Sequence, residues 1–172
     1  MFILDSVRPY LVANSLYNSA LTTLGALPAT LLFGWLLATL IGRVAAKRQQ
    51  RIGLALGFSA IVSLANLGFL PRLAVHFADT IFSPNTILLF GVVPALSWSV
   101  APIVALFVLL NRPAPRLLRI HPITPFRFAL LRILLATCML LLCNASVPLL
   151  LSGGRPFNAT HTLPSWIFTQ AW

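Results

Sequence analysis

Apolar residues fall into four long runs along the chain, separated by short polar segments. A membrane helix needs roughly 20 predominantly apolar residues to cross about 30 Å of hydrocarbon, and the runs at 21–42, 52–70, 86–110 and 128–151 meet that length. Pro28 interrupts the first run, which a membrane helix tolerates when neighbouring groups re-satisfy the freed carbonyl. Pro71 is expected to close the second, Pro94 and Pro102 to kink the third, and Pro148 lies near the far end of the fourth. Residues 11–20, with Asn14, Ser15, Asn18 and Ser19, either lengthen the first helix or lie along the interface. The tail, 152–172, is too polar and too short for a fifth crossing. The pattern predicts an all-α integral membrane protein, a bundle of about four transmembrane helices forming a single membrane domain over 1–172.

Composition sharpens this picture. The chain is 59% hydrophobic and 8% charged, whereas a soluble domain carries roughly a quarter charged residues. The net charge of +10 raises the question of nucleic acid. However, the basic residues sit in the short segments between apolar runs, as they do in cytoplasmic loops, so no nucleic-acid partner is expected. Segment 43–51 holds Arg43, Lys47, Arg48 and Arg51, and segment 111–127 holds Arg112, Arg116, Arg119 and Arg127, with Arg132 just inside the next run. The remaining segments carry Arg8, Arg72 and Arg155 singly. Positive loops stay in the cytoplasm, which places both termini on the outer side. Trp166 and Trp172 suit the outer interface, where indole rings settle at headgroup depth. No cleavable signal peptide is predicted at the N-terminus. A bacterial inner membrane is favoured, with an organellar membrane as the alternative.

Candidate chemistry is sparse. The only acidic residues, Asp5 and Asp79, lie outside the apolar runs, so the intramembrane carboxylate that ion-coupled carriers use is missing from these runs. His76, His121 and His161 fall on opposite sides of the membrane in this topology and do not form one metal site. Cys138 and Cys143, five residues apart in one run, point to different helix faces and read as buried small hydrophobes. With no phosphate-cradling glycine loop or nucleophile elbow either, the chain is expected to be no enzyme and to bind no metal or cofactor alone, lipid contacts aside.

Packing signals are stronger. Gly34, Ala38 and Gly42 recur every four residues on the first run, and Gly53 and Gly57 form a small-xxx-small pair on the second. Such stripes let helix backbones approach closely where lipid provides no hydrophobic drive. They predict tight packing between the first two helices or against a partner subunit. Polar residues within the runs include Thr30, Asn66, Ser97, Trp98, Ser99, Asn144 and Ser146. Asn66 and Asn144 lie near the outer ends of their spans and are placed to meet across a bundle. These polar residues serve either as interhelical hydrogen-bonding groups or as the lining of a polar path. Between Asn111 and Arg132, prolines 113, 115, 122 and 125 bracket a short arginine-bearing stretch, which reads as a positive-inside loop or as a dock for anionic lipid or a cytoplasmic partner.

The opening NSLYNSALTTLGALPATLLFGWLLATLIGR resembles the first core helix of the membrane permease subunits of ABC importers, in which an Asn-Ser/Thr-Leu start leads into a helix containing Gly and Ala. The resemblance covers residues 11–135 in outline. It implies that the segment after the third span is a coupling loop pressed into a cleft on a cytoplasmic ATPase subunit. The Glu-Ala-Ala then Gly signature of that loop and a fifth core helix are both missing. Together, composition and resemblance lead to the expectation of a non-catalytic multi-pass subunit of a larger membrane assembly, with other membrane subunits and anionic lipids as partners. The permease of a transport system is the first reading. An accessory structural subunit of a respiratory or photosynthetic complex is the second.

Overall fold

The computed structural model describes the backbone of residues 2–78, 86–111, 124–151 and 161–171, and side chains within 10–72, 86–111, 127–151 and 161–169. These residues form α1 (Phe2–Val44), α2 (Arg48–Ala78), α3 (Val93–Leu110, opened by a wide π-turn over Ile87–Val92), α4 (Thr124–Cys143), α5 (Ser146–Leu151) and α6 (Leu163–Ala171). Among the described residues there is no strand. Four helical stretches are long and apolar enough to cross a membrane: Tyr10–Val44, Arg48–Arg72, Ile87–Leu110 and Arg127–Leu151. The chain is a multi-pass membrane protein. Residues 112–123, with Arg112, Arg116, Arg119 and His121, and residues 152–160 and Trp172 of the tail lie outside the described residues.

Proline and polar residues set the helix boundaries in different ways. Residues 11–20 continue α1 without interruption, the first of the two forms expected, and Asn18 and Ser19 among them bond the backbone of His161 and Leu163. Pro71 lies inside α2 instead of ending it, since one missing N–H costs a single rung of an otherwise apolar ladder. Pro94 sets the shape of α3. Its ring would clash with the carbonyl four residues back, and the turn before it widens so that Val93 N–H donates to Leu88 O. Pro148 breaks the last span in the same way. The residue four positions before it is Asn144, and the chain leaves the helix at 144–145 before resuming as α5.

α3 is the centre of the bundle. Leu88, Val92, Leu96, Val100 and Val104 recur every four residues along it, each at most 2% exposed. Ala26, Leu70, Leu141, Val147 and Leu151 close over that stripe from the other elements. α1 packs most extensively on α3, and α2 makes its main contact there as well. Coverage differs sharply between helices. In the most apolar stretch of α3, 44% of residues are buried inside the chain, against 11% in α2. α2 is therefore the least covered of the four spans.

Candidate functional site

The small-residue stripe on α1 is used inside the chain. Gly34 and Ala38 are buried, and a Cβ added at Gly34 would meet Val104 Cγ1 at 2.6 Å, Val104 Cβ at 2.8 Å and Ala101 O at 3.1 Å. The helix admitted by this notch is α3. Of the packing expected for these stripes, between the first two helices or against a partner subunit, the stripe on α1 is filled by α3, and α1 packs far less on α2 than on α3. Ser97 supports the same seam. Its hydroxyl bonds Val93 O at 2.8 Å and leans to Ala26 O of α1 at 3.3 Å, the carbonyl to which Thr30 Oγ1 also donates at 2.7 Å.

α2 keeps its glycines on the other side. At 100° per residue, Gly53, Gly57, Ala60, Leu64 and Gly68 fall in a sector about 80° wide, and all are exposed. Ala55, Val62 and Leu70, which are buried, lie roughly opposite. A Cβ at Gly53, Gly57 or Gly68 would meet nothing within 4 Å. Neighbouring exposed side chains, Leu56 and Leu67 among them, extend this into a continuous apolar face.

On its packed edge α2 carries Asn66, whose Nδ2 donates to Ser99 Oγ at 2.7 Å while that hydroxyl donates on to Ala95 O at 2.7 Å. The two donations form a short relay in which each bond polarises the next. Trp98, 50% exposed, meets Phe58 of α2 edge to face, with centroids 6.2 Å apart. Asn144 does not meet Asn66. Its Oδ1 accepts from Val147 N–H at 3.1 Å and from Ser146 Oγ at 3.2 Å, capping α5 locally. Interhelical hydrogen bonds in membranes contribute about 0.6–2 kcal/mol, so Asn66→Leu should lower stability within that range, and Ser99→Ala on top of it should add little. A double-mutant cycle on thermal midpoints in detergent measures that coupling.

Around the basic segments, Arg43, Lys47 and Arg48 are exposed, while Arg51 folds back so that Nε donates to Ala45 O at 2.8 Å across the α1–α2 turn. Arg127 and Arg132 are exposed on α4, and Gly42 is half-buried. Cys138 is half-buried and Cys143 exposed, both as free thiols. Cys143 therefore differs from the buried packing residue expected of it, because the helix break that follows leaves its face uncovered.

A second polar centre sits at the end of α1 remote from the Arg43–Arg51 turn. Ser15, Asn18, Ser19, Thr22 and Thr23 are all buried, and their spacing of 3, 4, 7 and 8 places them on one helix face. α6 covers it. Asn18 Nδ2 donates to His161 O at 2.9 Å, and Leu163 N–H donates to Ser19 Oγ at 2.7 Å. Thr162 and Ser165 cap α6: Thr162 N–H donates to Ser165 Oγ at 2.9 Å, the N3 side chain reaching back as in a capping box. His161 Nδ1 lies 3.2 Å from the same Oγ, and burial pushes its imidazole below the ordinary histidine range. Two signals in the chain mark this centre: the i, i+3, i+4, i+7 polar spacing of 15–23, and Thr162-Leu163-Pro164-Ser165, a cap with proline in the first turn. Among the described residues no three His, Cys, Asp or Glu side chains converge as metal ligands would. Comparison with protein-family models, with curated proteins and with solved structures finds no match for this chain.

Proposed function

We propose that this chain is a non-catalytic multi-pass subunit that offers helix surfaces to a larger assembly in the membrane, a bacterial inner membrane being favoured. The open glycine face of α2 carries the reading. Gly34 illustrates what such a notch is for, since in this chain it seats another helix against backbone. α2 has three glycines on its outward face with nothing against them. Gly costs up to about 1 kcal/mol against Ala in a helix interior, so a cluster of glycines on one face is spent on close approach by another helix.

The residues considered as a polar lining favour a structural role over a permeation path. Asn66, Ser97 and Ser99 direct their hydrogen bonds to one another or to backbone carbonyls, and Asn144 caps its own helix. The reading is an accessory subunit beside neighbours that hold the cofactors or perform the transport chemistry, with the exposed cations of the α1–α2 turn against anionic headgroups. The permease reading predicts a different set of neighbours.

The test is gentle-detergent purification of the full-length tagged chain from its native membrane, with mass spectrometry of what accompanies it. Redox or pigment-bearing subunits support the structural reading. An ATP-hydrolysing subunit with a solute-binding protein overturns it in favour of the permease. In the same experiment, Gly53→Leu with Gly57→Leu should reduce recovery of membrane partners at least about tenfold, a loss of roughly 1.4 kcal/mol of association. The thermal midpoint of the isolated chain should not fall, and should rise somewhat as leucine improves helix propensity at both positions. Undiminished recovery rules the α2 face out as the contact.

A further inference from the structure

We propose that α6 is a releasable strap over the polar end of α1, held down while the His161 ring is neutral and let go when that ring takes a proton.

Two features of the geometry carry this. The strap is tied to α1 through His161 itself: its carbonyl receives the Asn18 amide, and the next tie, Leu163 N–H to Ser19 Oγ, is two residues on. The ring of the same residue is buried at 4% exposure, beside an oxygen already fully engaged. A serine hydroxyl offers one hydrogen and two lone pairs. Ser165 Oγ has four partners in reach: Thr162 O at 2.9 Å, Thr162 N at 2.9 Å, Thr162 Oγ1 at 3.2 Å and His161 Nδ1 at 3.2 Å. A neutral imidazole adapts to this crowding by choice of tautomer. An imidazolium has no such choice, because both ring nitrogens then donate.

Among the described residues, the groups around His161 give a proton no compensation. From α1 the polar residues of this face are Ser15, Asn18, Ser19, Thr22 and Thr23, and on its own segment Thr162 and Ser165; none is titratable. The described residues of α5, Val147, Pro148 and Leu151 among them, are apolar where buried. Among the residues whose side chains are described there is no carboxylate, and Asp5, in the first turn of α1, is described in its backbone alone. A buried, unpaired charge is expensive, and the cheapest relief is for residue 161 to move to water, which pulls its carbonyl from Asn18. Undocking has a further return. Trp166 Nε1 is buried with no hydrogen-bond partner among the described residues, a donor that water satisfies on release.

The sign follows from linkage. Burial lowers the ring's pKa in the docked state, so docking is strongest above the free histidine value of about 6.5 and weakens as pH falls below it. The docking constant drops by up to about tenfold per pH unit until the docked-state pKa is reached.

Hydrogen–deuterium exchange of the amides in 163–171, read by mass spectrometry on the full-length chain in lipid nanodiscs, tests this. Protection factors corrected for the intrinsic pH dependence should be high at pH 7.5 and at least about fivefold lower at pH 5, following that slope. Asn18→Ala should lower protection at both pH values while keeping the pH dependence. His161→Gln should remove the dependence. Wild-type protection that is unchanged between pH 7.5 and 5, or a His161→Gln chain that still responds to pH, overturns the proposal. If His161→Gln undocks the strap at both pH values, NMR titration of ring-labelled histidine in the wild type decides. A His161 midpoint coinciding with the exchange transition supports the strap, and one more than a unit away overturns it.

Discussion

Replacing Gly34 with leucine is expected to prise α1 from α3 and leave a chain that fails to hold its bundle in mild detergent. Even the Cβ of alanine at this position would stand 2.6 Å from Val104 Cγ1 and 3.1 Å from the Ala101 carbonyl. The obstacle is stiff, because a β-branched valine on a helix has essentially one χ1 rotamer and a backbone carbonyl has none. Relief therefore requires one helix to move bodily against the other. Overpacking of this kind costs about 1–3 kcal/mol, and more where the backbone must shift, so Gly34→Ala should lower the thermal midpoint measurably and Gly34→Leu should abolish a cooperative transition. The control is Gly57→Ala. Nothing lies within 4 Å of its added Cβ, and the isolated chain should gain up to about 1 kcal/mol from improved helix propensity. Equal losses at both glycines would contradict the α1–α3 seam.

Leu96→Ala should be the most damaging truncation in the core. Leu96 is 1% exposed, midway along the stripe from Leu88 to Val104, and cavities left by buried Leu→Ala changes cost about 2–5 kcal/mol. Residues of α1, α2, α4 and α5 close over the stripe, so the hole has little room to collapse. Leu64→Ala on the open face of α2, where the side chain is 69% exposed, should change stability by no more than about 0.5 kcal/mol. Detergent melting curves of the two variants separate a helix packed within the chain from a helix face that the chain leaves open.

These contrasts mark what was legible in the chain beforehand. The four crossings followed from run length alone, because lipid admits little besides helices, and the observed stretches contain the predicted ones at nearly every boundary. The destination of a glycine stripe was not legible. Gly34 and Gly53 belong to similar spacings, yet one is filled by Val104 and the other is open, and spacing specifies a face without naming the helix that comes to it. Proline acts in two ways: α2 runs through Pro71, which was expected to close it, whereas Pro148 breaks its span four residues upstream, at a point where Asn144 supplies a cap. The polar centre on α1 was visible as a cluster of Asn and Ser. Its partner was hidden, because it lies 143 residues further along the chain and no local pattern reports a contact at that separation.

The length of α1 has a consequence for how the molecule meets its surroundings. The stretch Tyr10–Val44 has 35 residues, which at 1.5 Å each is about 52 Å of helix, against a hydrocarbon thickness of about 30 Å. Even a tilt of about 40°, the steep end of what spanning helices adopt, leaves roughly 10 Å standing clear of the acyl chains. That excess is of the size of the headgroup layers, which bring the bilayer to about 40–45 Å, and it is there, near the Asn18 end of α1, that α6 is bonded to the helix through Asn18 and Ser19.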